Sequence, residues 1–140
     1  MIWIDHDKVE EYAATVQDLS APIAKRHSAL FCLRTVASLE GIDALIKAFQ
    51  EEPSSELLQH EICYALGQMN RTDAHTHKIQ SFFESIIDED HTKIVLHEVV
   101  EALGNLNQAN TLKLLKKFEN EPSEILYETC DLTIKLIEWK

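Results

Sequence analysis

The sequence predicts an all-α protein, an α-solenoid in which eight helices form four helix-pair repeats. Three observations carry this prediction. The 140 residues include only three glycines and three prolines. Apolar residues recur almost throughout at the three- and four-residue spacings of an amphipathic helix, and one nine-residue pattern returns at intervals of thirty residues or more. Apolar residues form 45% of the chain, enough for a hydrophobic core, and the length fits one domain over residues 1–140.

Seven breaks divide the chain into the eight helices. Each break contains residues that helices disfavour in their interiors. The breaks fall near Ala21-Pro22, Leu39-Glu40-Gly41, Glu52-Pro53-Ser54, Asn70–Asp73, Asp88–Asp90, Asn107-Gln108 and Glu121-Pro122-Ser123. Serine and proline at such positions suit helix N-termini. The first helix of each pair is therefore expected at about residues 5–18, 41–51, 75–88 and 109–119.

The second helix of each pair carries the repeated pattern. Its four copies are RHSALFCLR from Arg26, QHEICYALG from Gln59, LHEVVEALG from Leu96 and LYETCDLTI from Leu126. Their anchor positions, separated by 33, 37 and 30 residues, are His27, His60, His97 and Tyr127. A helix-pair period of this length is typical of a solenoid. We expect the first helices in an outer layer and the second helices in an inner, concave layer.

The second and third inner helices each have a core stripe and an opposite polar face. The core stripes are expected to be Leu58, Ile62, Leu66 and Met69, and Val95, Val99, Leu103 and Leu106. The opposite faces carry His60, Glu61, Tyr64, Gly67 and Gln68, matched by His97, Glu98, Glu101, Gly104 and Asn105. Glycine inside a helix costs about 1 kcal/mol relative to alanine. Two glycines at matching positions therefore predict close approach by another helix or a ligand.

The paired His-Glu motifs predict a metal site on this face. Neighbouring helices lie about 8–10 Å apart, so His60 and His97 can reach one ion from adjacent helices. Non-haem iron(II) that handles oxygen typically takes two histidines and one carboxylate, which leaves positions open for O2 and substrate. One chain supplies one such set, whereas two chains face to face would supply ligands for two irons. Solvated polar side chains on a helix face are the other interpretation of the same residues.

Charge and cysteine content narrow the class of protein. The net charge of −11, from 24 acidic and 13 basic residues, argues against nucleic acid as a partner and suits a basic or polyamine-like one. The opening MIWIDHDKVEEY lacks the features of a signal peptide, and no apolar run is long enough to span a membrane. The three cysteines have no C-x-x-C spacing and are expected to be buried, reduced thiols. A cytoplasmic location is expected.

Other polar and aromatic residues are expected to have structural roles or to lie on the surface. His75 and His77 form an H-x-H at a helix start and are expected on the surface. His27 occupies the anchor register but is followed by serine, so a structural role is expected. Trp3 and Trp139, near opposite ends of the array, are expected to cover exposed repeat ends.

Several segments resemble the deoxyhypusine hydroxylases. LLQHEICYALGQM from Leu57 resembles the first HE helix of that family, and VLHEVVEALGNL from Val95 resembles the second. The segment Leu30–Arg34 resembles the family's ALFxLR. Glu128–Cys130 followed by Glu138-Trp139 resembles the ETC…EW close of its first half.

This resemblance implies a HEAT-like solenoid and a di-iron site. The family has eight repeats in two similar halves, four HE motifs and a di-iron centre between the halves, whereas this chain resembles the N-terminal half and has two HE motifs. By resemblance, His60 and His97 are iron-binding histidines, and Glu61 crosses to the iron held mainly by the other half. Glu98 matches a carboxylate at the edge of the site, where it meets the substrate amine.

The implied activity is O2-dependent hydroxylation of deoxyhypusine, a lysine-derived polyamine side chain on translation initiation factor 5A. The enzyme would be a non-haem di-iron monooxygenase with two Fe2+ ions per site, rebuilt when two chains form a C2 homodimer. A protonated polyamine would be attracted to an acidic groove lined by Glu98 and Glu101, with Tyr64 beside it.

Three other interpretations stay open. A monomer could bind a single Fe or Zn through His60, His97 and one glutamate. The chain could be a non-catalytic HEAT-repeat scaffold for a basic protein partner. It could also be one subunit of a heterodimeric enzyme whose second half is encoded separately.

Overall fold

The computed structural model describes residues 4–51 and 55–139, and this part of the chain contains helices and no strand. Its α-helices are α1 Val9–Gln17, α2 Ile23–Val36, α3 Leu39–Glu51, α4 Glu56–Leu66, α5 Asp73–Ile86, α6 Lys93–Leu106, α7 Thr111–Leu115 and α8 Glu124–Trp139. A 3-10 turn at His6–Lys8 leads into α1, and another at Lys116–Phe118 extends the short α7. These eight helices confirm the predicted all-α class.

Hydroxyl side chains cap the starts of three helices. The side chains of Ser55, Thr72 and Thr92 accept backbone N–H hydrogen bonds at the starts of α4, α5 and α6. Left-handed residues follow two of the inner helices, Ala37 after α2 and Asn107 after α6.

One predicted break lies two residues away from its expected position. The sequence favours a break over residues 39–41, but α3 already begins at Leu39. The chain turns earlier, at Ala37, and the Ser38 hydroxyl accepts a hydrogen bond from the Gly41 N–H. Gly41 therefore belongs to the first turn of the helix. The break predicted at Glu52-Pro53-Ser54 lies outside the described residues.

The helices form two layers. The second helices of the pairs, α2, α4, α6 and α8, contact one another in chain order, and α1, α3 and α5 do the same in the other layer. Each first helix also packs on its own partner, and α7 contacts both α6 and α8. This arrangement of stacked pairs confirms the α-solenoid of four HEAT-like repeats.

The two predicted core stripes are buried. Seven of their eight side chains are fully buried, and Leu106 is 5% exposed. All three cysteines are free and buried; burial raises the pKa of the Cys63 thiol well above its usual range and that of Cys130 to about 11. Among the described residues, no helix has both the length and the apolar character needed to cross a membrane.

The two matching glycines allow inner helices to approach each other. A Cβ atom on Gly67 would lie 2.8 Å from the Ala102 Cβ, and one on Gly104 would lie 2.5 Å from the Thr133 Cγ2. Gly104 lies inside α6 as expected, whereas Gly67 is the C-cap of α4, so the prediction of a glycine inside the helix is wrong there. Gly67 sets the contact of the end of α4 with α6, and Gly104 sets that of α6 with α8. The close approach predicted for this face is made by neighbouring helices, and it brings the polar residues of one helix against the next.

Candidate metal centre

Glu98 lies at the centre of a cluster of histidines and carboxylates on the inner layer. Its Oε1 is 3.0 Å from the His60 Nε2 of α4 and 3.8 Å from the His97 Nε2 of its own helix. The two predicted histidines are thus brought to one carboxylate from adjacent helices. Only 6% of the Glu98 surface is exposed. The structure places Glu98 between the two histidines.

The surroundings of Glu98 disfavour its charged form in the protein without metal. Burial raises the pKa of its carboxyl, and the neighbouring carboxylate of Glu101 raises it further. The nearby imidazoles of His60 and His97 act in the opposite direction. A cation at this position would compensate the negative charge that burial makes costly.

Three residues of α6 bring possible metal ligands together. Ligand atoms of His97, Glu98 and Glu101 all lie within 4.8 Å of one another, and the His97 Nε2 is 3.6 Å from the Glu101 Oε1. Two ligands that share an ion at about 2.1 Å each are at most about 4.2 Å apart. Small side-chain movements would therefore let these residues hold one ion. Imidazole nitrogens together with carboxylate oxygens suit iron or zinc.

Glu61 lies apart from this group of three. Its Oε1 is 3.4 Å from the Nδ1 of His60, and its Oε2 is 3.8 Å from the Nε2 of His27 on α2. His27 also packs edge-on against Phe31. Glu61 therefore faces the preceding repeat, and within the described residues it links His27 to the cluster.

These contacts form a ladder across the inner layer. The histidine of one repeat faces the glutamate of the next repeat, as His27 faces Glu61 and His60 faces Glu98. The series changes at the last step: the Nδ1 of His97 lies 2.7 Å from the hydroxyl of Thr129 on α8. Reasoning from the sequence overlooked Thr129. The repeat alignment could have identified Thr129, because it directly follows Glu128, the fourth-repeat residue that matches Glu61 and Glu98.

A cavity of about 430 Å³ opens between α6 and α8 beside His97. Its polar lining includes His97, Glu101 and Glu128, and its apolar lining comes from α8, at Ile125, Leu132, Leu136 and Ile137. No lysine or arginine occurs among the described residues that line it. The lining of the cavity is therefore partly acidic and partly aliphatic.

The remaining predicted residues lie away from this cavity. Tyr64 is on α4 with 39% of its surface exposed and is not among the residues that line the cavity. The ring nitrogens of His75 are within hydrogen-bond distance of the Thr72 hydroxyl and the Ala37 carbonyl, which gives this histidine structural partners. Trp139 is 86% exposed, so it covers no repeat end within this chain. Trp3 lies outside the described residues.

Comparison with known proteins points to one family. No family model matches the sequence. A deoxyhypusine hydroxylase of Dictyostelium discoideum is 40% identical over 139 residues, which is 99% of this chain and 42% of that protein. The Gallus gallus enzyme is 31% identical over 97% of this chain and 44% of its own length. The structure of human deoxyhypusine hydroxylase in complex with glycerol matches 96% of this chain and 44% of that one, with a TM-score of 0.82 and 31% identity.

Proposed function

The chain is a homologue of the deoxyhypusine hydroxylases that spans less than half of their length, and on this basis we propose that it takes part in the same reaction. The proposed activity is O2-dependent hydroxylation of deoxyhypusine on translation initiation factor 5A. The observation that carries the proposal is the meeting of two HE motifs at Glu98, where His60 and His97 approach one buried carboxylate.

The cluster provides a ligand set for iron. His60 and His97 would supply the nitrogen ligands, and Glu98 the buried carboxylate. Glu101 lies close enough to add an oxygen, while Glu61 is placed to serve a second ion. Bound iron would supply the redox chemistry that activates O2. The residues of the chain hold the ion and leave space at the cavity side for substrate.

Two copies of the chain would rebuild a two-iron site. One chain contains two of the four HE motifs that the resemblance implies, and a C2 dimer would present the same face twice. The inner-layer helix α8 leaves large apolar side chains exposed beside the cavity, at Ile125, Leu132 and Leu136. Such a patch favours pairing with another protein surface. A second half encoded separately would satisfy the same requirement.

The cavity beside His97 suits the proposed substrate. Its carboxylates at Glu101 and Glu128 would attract a protonated amine. Its aliphatic wall on α8 would contact the methylene groups of a polyamine-like side chain. The methylene carbon to be hydroxylated could then lie next to His97.

Native mass spectrometry of protein loaded with Fe2+ without oxygen tests this proposal first. We expect a dimer that carries two irons, and conversion of deoxyhypusine to its hydroxylated form when O2 is admitted. His60→Ala should carry no iron and form no product. A chain that stays monomeric would contradict the homodimer, and an iron-loaded dimer that leaves the substrate unchanged would contradict the proposed activity.

A mononuclear metal protein is the second candidate function. It is favoured by the three ligand atoms of His97, Glu98 and Glu101 that lie together within one chain. This function predicts one Fe or Zn per monomer with no change in oligomeric state on loading. The same mass spectra separate the two functions, whereas a non-catalytic scaffold predicts no bound metal at all.

A further inference from the structure

The hydroxyl of Thr129 lies between a backbone carbonyl and a candidate metal ligand. Its Oγ1 is 2.7 Å from the Ile125 carbonyl oxygen one turn earlier in α8 and 2.7 Å from the His97 Nδ1 of α6. Thr129 is buried, with 9% of its surface exposed. The contact is therefore held by the packing of α6 on α8.

These two distances decide where the protons lie. Two oxygens 2.7 Å apart repel unless a proton lies between them, so the Thr129 hydroxyl donates to the Ile125 carbonyl. A hydroxyl has only one proton. Its oxygen can then only accept from His97, which means that the His97 Nδ1 carries the proton. The neutral imidazole consequently has its lone pair on Nε2.

The His97 Nε2 faces carboxylates that cannot donate a hydrogen bond to it when ionised. It lies 3.8 Å from the Glu98 Oε1 and 3.6 Å from the Glu101 Oε1, both longer than a hydrogen bond. A lone pair directed at carboxylate oxygens is unfavourable by itself and becomes favourable when a cation lies between them. Histidines that bind metals usually donate their other ring N–H to a fixed acceptor in this way.

His60 has the opposite arrangement. Its Nδ1 is buried without a hydrogen-bond partner in the described part of the chain. Its Nε2 lies 3.0 Å from the Glu98 Oε1, a distance at which an N–H donates to a carboxylate. The two histidines of the repeated motif thus differ in which nitrogen is ready to bind a cation, and only His97 has its Nε2 free of a proton.

We propose that Thr129 is a positioning residue that fixes the proton of His97 on Nδ1 and so presents Nε2 to the cation site formed with Glu98 and Glu101. The placement of the proton is independent of the proposed enzymatic activity. Its consequence for iron binding rests on that proposed function.

Nitrogen NMR of the metal-free, full-length chain tests the proton placement directly. Histidine labelled with ¹⁵N is observed at one fixed pH at which the imidazoles are neutral, and His97 is assigned by its loss in His97→Gln. We expect wild-type His97 to be protonated on Nδ1 only. Thr129→Val should move part of the population to the Nε2–H form, whereas Thr129→Ser should keep the wild-type pattern.

Thr133→Val is the matched control. Thr133 is also buried in α8. Among the described residues its hydroxyl donates to the carbonyl of Thr129 one turn earlier and not to a histidine. This variant should leave the His97 spectrum unchanged. A wild-type His97 protonated on Nε2 or on both nitrogens would overturn the proposal without any variant. So would a Thr129→Val spectrum identical to that of the wild type.

Anaerobic titration with Fe2+ alone measures the consequence for binding. We expect Thr129→Val to weaken Fe2+ binding about 10- to 100-fold, the usual effect of removing the hydrogen-bond partner of a ligating histidine. Thr129→Ser and Thr133→Val should bind like the wild type. Equal Fe2+ affinity in Thr129→Val and the wild type would overturn the positioning role. A wild-type chain that binds no Fe2+ would instead overturn the proposed function, while the proton placement would still be decided by NMR.

Discussion

The two HE helices, α4 and α6, have closely similar sequences and different surroundings. On α6, Glu98 is buried between two histidines, and His97 is held by a hydroxyl from α8. On α4, the Glu61 side chain is 22% exposed, lies between His27 and His60, and is not part of the group of three ligands. The same dipeptide therefore acquires a different environment in each repeat, because its environment comes from the neighbouring helices.

The neighbouring helix explains the direction of this difference. Each histidine faces the following repeat, so α6 receives the imidazole of His60, while α4 receives that of His27. His27 belongs to a repeat without a glutamate after its histidine. Helix α6 therefore lies at the centre of the cluster because of its position in the array, since α4 carries the same HE motif.

Removal of a central histidine should have the largest effect. His60→Ala and His97→Ala each delete one of two nitrogen ligands, so we expect Fe2+ affinity to fall more than about 100-fold in either variant. His27→Ala, which removes the outermost histidine of the ladder, should change the affinity about twofold or less. Anaerobic titration followed by metal analysis measures all three. Strong iron binding by His97→Ala would exclude the site on α6.

Substitution of Glu98 and of Glu61 should weaken Fe2+ binding to different extents in the same titration. We expect Glu98→Gln to weaken Fe2+ binding about tenfold more than Glu61→Gln, because Glu98 lies between both histidines and Glu61 does not. The comparison needs the same oligomeric state in both variants. Equal losses would contradict the central position of Glu98 and indicate that Glu61 is engaged as closely as Glu98.

Substitution of the two glycines should lower the stability of the protein to different extents. Gly67→Ala would press a Cβ against Ala102, including its Cα, whereas Gly104→Ala would meet mainly the end of the Thr133 side chain. Overpacking costs about 1–3 kcal/mol. At Gly104, inside α6, alanine regains about 1 kcal/mol of helix propensity, whereas Gly67 is the C-cap of α4 and gains little. We expect Gly67→Ala to lower the free energy of unfolding by about 1–2 kcal/mol and Gly104→Ala by less. Urea unfolding measures both, and the reverse order would contradict the proposed helix contacts.

The smallest effect concerns the charge of Glu98 in the metal-free protein. Because the folded state raises the pKa of this carboxyl above its usual value, its ionised form opposes folding, and stability falls as the pH rises through that raised pKa. Glu98→Gln should therefore raise the melting temperature of the metal-free protein at pH 7, and this gain should disappear at pH 4. Glu61→Gln is the matched control and should not reproduce this gain.

A variant that gains stability and loses iron binding would identify Glu98 as a functional carboxylate. Substitution of a carboxylate with a structural role would instead lower the stability of the protein. A lower melting temperature for Glu98→Gln at pH 7 would thus contradict the assignment. The two measurements together distinguish the central position of Glu98 from that of Glu61.

The helices, the repeat and the polar faces of this protein are predictable from its amino-acid sequence. These features are local: the 3.6-residue period sets which side chains share a face, and residues such as Ser55 and Thr92 cap the helices that follow them. The buried stripes of α4 and α6 followed from the same period. The candidate ligands His60, Glu61, His97 and Glu98 were placed on the correct helices for the same reason.

The partners that these side chains meet depend on how the helices pack. The contacts of Glu98 with His60 and of Thr129 with His97 join residues 38 and 32 positions apart. They depend on the separation and rotation of α4, α6 and α8. Those quantities are set by helix packing at Gly67 and Gly104, where the missing Cβ atoms let the backbones approach. Periodicity along one helix contains no information about the rotation of the next, so the different roles of two similar motifs emerge only when the helices pack.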